Sequence, residues 1–363
     1  MRLLALPVSG GGFPTQLAAL QHLCTIQYIP DLTLASSGGN VAAYIAAAAG
    51  WHWAGIERVA RQLSQNLFVT PWSSISLVGF IIGFFEGNLY NRGCGVAGFL
   101  QQYFTSSSIV EHEIWTGTYN PTNQQARLFC NRAQANTIVN QDFIDHELTQ
   151  TMTTIFADGD IELIAKAGLA SASIPSLVPP QIIDDNKYQD GGMAGASPLA
   201  IMRGPILARI RQTGEPLHIT YVNSVDLNLP QKMTTHNVVD ALLQATSDLV
   251  RSATVADRWA GFQLLDKQHG TIHKETFLCN YDNLIRIKRL QELVHYSLLE
   301  IYPTVEHNLN ISKFSGDDVA HNIRQAYDEL SCRLWWVEPD VPHPEVRELL
   351  DICVGKVECQ DRS

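Results

Sequence analysis

The stretch Leu32-Thr33-Leu34-Ala35-Ser36-Ser37-Gly38-Gly39-Asn40-Val41 constrains this chain more than any other. Leu32–Ala35 is a short apolar run suited to a buried strand. Gly38 and Gly39 impose a tight turn, and Val41–Ala49 is rich in helix formers. A serine at the apex of a strand–turn–helix stands clear of the backbone, near the positive end of the helix that follows. Ala35, Ser37 and Gly39 occupy the three fixed positions of G-x-S-x-G, with Ala35 in place of the first glycine. Such a turn is equally an ordinary structural connection, so the stretch alone leaves both readings open.

Upstream, Leu3–Val8 reads as a first strand that runs into Ser9-Gly10-Gly11-Gly12. Thr15 then caps a helix with the stripe Leu17, Leu20, Cys24 and Tyr28, and Pro30 ends it. This βαβα opening predicts parallel strands with helices packed on the sheet. Both glycine turns follow strand C-termini, where open α/β sheets place their ligands.

At 363 residues the chain is one large domain or one domain with additions. A net charge of −11 and the lack of any Lys/Arg-rich run leave no electrostatic footprint for nucleic acid. The seven cysteines are scattered and form no CxxC, which favours free thiols in a reducing, cytoplasmic compartment over a disulfide framework or a zinc site. The apolar N-terminus is too short for a signal peptide, and no run reaches the length of a membrane span.

An apolar insert follows at 72–90, with Leu77–Phe85 between Trp72 and Tyr90. It reads as a buried core segment, or alternatively as an acyl-pocket wall or interfacial flap. Tyr119–Gln125 reads as a turn, Ala126–Cys130 as a strand and Asp160–Ala172 as a helix. The second informative stretch is Ala170-Ser171-Ala172-Ser173-Ile174-Pro175, continuing to Pro179-Pro180. It leads through a small hairpin to Asp190-Gly191-Gly192. Taken alone, Asp-Gly is a common turn. Leu217–Val222 reads as a strand. The stripes Val238–Val250, Leu290-Val294-Leu298-Ile301 and Val319-Ile323-Tyr327-Leu330-Leu334 read as three helices, and the proline-rich tail as an extended segment closing on a short helix.

In this order the glycine loop Ser9–Gly12, the elbow Ala35–Gly39, the segment Ala170–Pro180 and Asp190-Gly191-Gly192 resemble the patatin-like phospholipase family. The resemblance implies a three-layer α/β/α fold with a mainly parallel central sheet. On it the chain divides into a patatin-like domain at 1–310 and a helical C-terminal extension at 311–363. It implies Ser37 as nucleophile and Asp190 as base, with backbone N–H groups of Gly10, Gly11, Gly12 and Gly38 forming an oxyanion hole. It also implies phospholipid or other lipid ester substrates, transient contact with a membrane surface, and no metal or cofactor. Phe13-Pro14-Thr15 replaces the x-[Arg/Lys]-Gly that usually continues the family's glycine triplet.

The alternatives divide by chemistry. A classical α/β-hydrolase triad requires several strands before the nucleophile, and here only one precedes Leu32. His218 falls in a strand and His295 on a helix, neither in a motif. A nucleotide loop would need Lys-[Ser/Thr] after its glycines. A peptidase or thioesterase could use the same elbow, and a patatin-fold protein with impaired catalysis would keep a lipid-binding or structural role.

Overall fold

In the computed structural model the side chains of β1 (Arg2–Leu6) divide between two cores. Leu4 and Leu6 enter one, Leu3 and Ala5 the other. Such alternation marks a strand covered on both faces. The structure describes residues 1–71, 73, 78, 82, 88, 90–139, 153–192, 198–227, 238–265, 271–305, 307–310, 313–337 and 344–349, with backbone alone at 153, 238–247, 249 and 250.

The chain continues through α1 (Phe13–Thr25), β2 (Leu32–Ser36), α2 (Gly38–Ala48), α3 (Trp53–Ala60), β3 (Val69–Thr70), β4 (Asn91–Arg92), α4 (Val96–Gln101), β5 (Glu113–Asn120), β6 (Gln125–Cys130) and β7 (Thr153–Phe156). Then come α5 (Ile161–Ser171), β8 (Gln181–Ile183), β9 (Asn186–Asp190), α6 (Pro198–Thr213), β10 (Leu217–Val222), α7 (Val238–Leu265), β11 (Ile272–Leu278), α8 (Tyr281–Leu293), β12 (Tyr296–Pro303), α9 (Gly316–Asp328) and β13 (Leu330–Val337).

The main sheet runs β11-β13-β12-β10-β1-β2-β5-β6-β7. From β12 through β5 its strands are parallel, and antiparallel pairs flank that centre on both sides. One core gathers residues of α1–α5, α8 and α9 on one face, and a second gathers those of α6 and α7 on the other. The fold is a three-layer α/β/α sandwich with a mostly parallel sheet, as the opening βαβα pattern predicts.

Several elements differ from the sequence reading. Helix α1 starts at Phe13 rather than after Thr15, with Pro14 in its first turn and Gly12 as an N-cap that offers no side-chain bond. Proline suits that position because its missing N–H would have no intrahelical partner. The helix ends at Thr25, ahead of Pro30. The turn expected over Tyr119–Gln125 shrinks to 121–124, because β5 runs on to Asn120.

The two C-terminal stripes each cross from helix to strand. Leu290 lies in α8 but Leu298 and Ile301 in β12, and α9 stops before Leu330 and Leu334, which belong to β13. His295 sits in the bend between α8 and β12. The region past 310 thus contributes β13 to the main sheet as well as a helix. Most of the apolar insert, including Trp72, Phe84 and Phe85, and the tail at 338–343 and 350–363 lie outside the described residues.

Candidate active site

Ser37 is the residue between β2 and α2, and its backbone takes φ 52° and ψ −129°. A non-glycine residue there is strained. The turn is held from outside. The Ser37 N–H donates to Ser171 Oγ at 2.8 Å, and that hydroxyl donates to the Gly117 carbonyl at 2.7 Å. Glycine is required beside it, because a Cβ on Gly39 would lie 2.3 Å from the Leu6 carbonyl oxygen. The helix can therefore start directly against the end of β1.

β5 brings the second stretch to the elbow. β6 occupies one edge of β5 along Trp115–Asn120. On the other edge Ser36 pairs with Gly117, and one residue later Thr118 pairs with Asp190. β2 runs parallel to β5 and β9 antiparallel, so the two strands approach each other along one edge and end at neighbouring residues. The β8–β9 hairpin that delivers Asp190 turns on Asp184 and Asp185, both with positive φ, as a two-residue hairpin turn demands. Asp190 is 1% exposed, and its Oδ1 accepts from the Gly192 N–H at 3.0 Å. Its own N–H donates to the Ser173 carbonyl.

The glycine loop forms one 3-10 turn, Gly10–Gly12. Its Gly12 N–H donates to the Ser9 carbonyl at 2.7 Å. That bond commits a group the sequence reading places in the oxyanion hole. Gln16 pins the start of the loop from inside α1, where its Nε2 donates to the carbonyls of Pro7 and Val222. From outside, the Leu309 N–H donates to the Gly11 carbonyl at 2.9 Å.

Gly10, Ser37 and Gly38 line a solvent-open cleft. Its remaining wall is apolar, with Phe13, Val41, Phe68, Tyr90, Ile174 and Phe314 among its residues. Gly11, Gly12 and Asp190 are not in that lining. Tyr90, at the end of the apolar insert, reaches the cleft, and its N–H donates to the Leu177 carbonyl. Ser171, Gln16 and Leu309 are the supporting residues that sequence reasoning missed. Ser171 stood within a recognised motif, but nothing marked Gln16 or Leu309. Among the described residues no three His, Cys, Asp or Glu side chains gather as a metal site, and no helix is long and apolar enough to cross a membrane.

Fold and elbow together define a class: a three-layer α/β/α protein that presents a strained serine to an apolar cleft. The chain belongs to the patatin-like phospholipase family, whose family model matches residues 6–203. Membership places it among lipid acyl hydrolases in general. No curated protein sequence matches it. Among solved structures, the crystal structure of VipD from Legionella pneumophila is similar with a TM-score of 0.31 and 11% identity, over 97% of this chain and 67% of that one.

Proposed function

We propose that this protein hydrolyses acyl esters of phospholipids or related lipids through a Ser37–Asp190 dyad. Ser37 Oγ attacks the acyl carbonyl while the Asp190 carboxylate takes its proton. The tetrahedral oxyanion is held by backbone N–H groups of Gly10 and Gly11 in the glycine loop and of Gly38, the first residue of α2, whose N–H has no partner within the helix. Collapse of the intermediate expels the alcohol, which receives the proton back from Asp190. Water then cleaves the acyl-enzyme by the same route.

The observation that carries this reading is the meeting of β2 and β9 on one edge of β5, with Ser36 opposite Gly117 and Asp190 opposite Thr118. The apolar lining of the cleft supports an acyl chain as the occupant. The test is fatty acid release from a mixed phospholipid panel by wild type, Ser37→Ala and Asp190→Asn. Both variants are expected to lose at least about 1,000-fold in kcat with the fold intact, because the two side chains act as one unit. Release by Ser37→Ala at the wild-type rate would place the nucleophile elsewhere.

Pro14 favours a second reading. It is buried in the first turn of α1, where the family's usual sequence carries a cation. A lipid-binding protein with impaired catalysis would bind phospholipid yet release no fatty acid.

A further inference from the structure

Helix α7 turns an apolar stripe outward. Its inner side is accounted for, since Ala253, Ala260 and Leu264 are buried. The outer side of a surface helix ordinarily carries polar residues. Here Val255 is 51% exposed and Trp259, one turn on, is 61% exposed. Phe262 continues the stripe, and Leu207 of α6 and Trp335 of β13 line the same solvent-open depression. Scattered exposed apolar residues need no explanation, but a contiguous patch marks an interaction surface.

The charge of this face is as unusual as its apolarity. The protein carries a net charge of −11, yet the described lining includes Arg203 and Arg258 and no Asp or Glu. Arg258 is answered from below, with Nε 2.8 Å from Oε1 of the buried Glu300, and its guanidinium lies over the rings of Phe262 and Trp335. Lys274 of β11 adds a third cation, its Nζ 5.1 Å from the centre of the Trp335 ring. Helix α7 packs over β12, with α6 toward β2 and β5 on one side and β13 and β11 on the other. Arg203 and Lys274 therefore flank the stripe from opposite sides.

Three kinds of occupant suit an apolar face with cationic flanks, and the structure separates them. A second copy in a two-fold contact would set this cationic lining against an identical one, with no carboxylate in it to pair. A bilayer seated here would not meet the Ser37 cleft, because α6 and α7 cover the sheet face opposite α1 and α2. An acidic amphipathic helix matches both properties: its apolar side lies along Val255, Trp259 and Phe262 while carboxylates on its two flanks reach Arg203 and Lys274. We propose that the outer face of α7 is a docking site for an acidic amphipathic helix of a partner protein. Such a site would exist whether or not Ser37 is a nucleophile.

The probe is a panel of synthetic amphipathic helices of about 20 residues, each with an apolar stripe flanked by Glu, and each with a twin carrying Lys for Glu. Binding to the full chain is followed by fluorescence anisotropy of the labelled peptide. At least one Glu peptide is expected to bind, about tenfold or more tightly than its Lys twin. Trp259→Ser alters an exposed side chain and is expected to weaken that peptide about tenfold or more at an unchanged thermal midpoint. The double substitution Arg203→Glu and Lys274→Glu is expected to reverse the preference in favour of the Lys twin, which damage to the fold cannot do. No binding by any Glu peptide, equal binding of the twins, or indifference to both variants overturns the proposal. A dimer in sedimentation velocity that Trp259→Ser dissociates assigns the face to a second copy. Binding to phosphatidylserine vesicles that the same variant abolishes assigns it to a membrane, and either result also overturns the proposal.

Discussion

The backbone N–H of Ser37 donates to Ser171 Oγ across 134 positions of sequence, and the same hydroxyl donates onward to Gly117 in β5. One buried side chain thus ties the elbow to the strand that also pairs with Asp190. Ser171→Ala would leave a buried N–H without its acceptor, at a cost of about 1–3 kcal/mol. The expected outcome is a lower thermal midpoint and a fall in kcat larger than any change in KM, because the strained Ser37 backbone loses its restraint. Ser173→Ala is the control, since among the described residues that hydroxyl bonds the Leu169 carbonyl one turn back. Calorimetry and ester kinetics on both variants check the contrast.

Gly11 and Gly10 are adjacent, but alanine should affect them differently. A Cβ on Gly11 would lie 2.4 Å from the Leu309 carbonyl oxygen, and backbone cannot swing aside as a side chain does. Gly11→Ala must therefore displace either the glycine loop or the segment crossing it, and kcat is expected to fall about 100-fold as oxyanion donors move. Gly10 has open space around a Cβ but a φ of +49°. Gly10→Ala should cost only the left-handed backbone penalty, about 1–2 kcal/mol. Urea denaturation and kcat measured together distinguish a strained loop from a displaced one.

Stability should decline on mild acidification through His218. Burial in β10 pushes this imidazole down to about 4, with the nearby N-terminal ammonium, His295 and Arg2 acting in the same direction. The unfolded chain keeps an ordinary histidine, near 6.5. Between those values the unfolded state binds more protons, so stability rises with pH. The contribution is fully present above about pH 6.5 and is lost progressively as pH falls toward 4, by up to roughly 3 kcal/mol. Urea unfolding at several pH values should show a steeper loss in wild type than in His218→Gln.

The strand–turn–helix at Ser37, the glycine loop and the β8–β9 hairpin were legible because each rests on local backbone chemistry, with glycines and prolines marking the turns. The helix-to-strand crossings at Val294 and Glu329 were not, because apolar residues at spacings of three and four continued across the breaks. The parallel alignment of β5 with β2 was equally hidden, since pairing partners 81 residues apart leave no mark on either strand alone. Gln16 gave no signal either. A buried glutamine in an apolar helix looks like an exception until Pro7 and Val222 are found to need its donor.

The shared edge of β5 also bears on tolerance to error. Two residues carried by independent elements would drift apart whenever either element shifted. Here both strand ends take their register from consecutive residues, Gly117 and Thr118, of a single template. A displacement of that template moves both ends together and leaves their separation nearly unchanged. Substitutions that merely reposition β5 within the sandwich are cancelled as common-mode noise. Those that alter the spacing between Gly117 and Thr118, or lengthen the β8–β9 hairpin by one residue, are not.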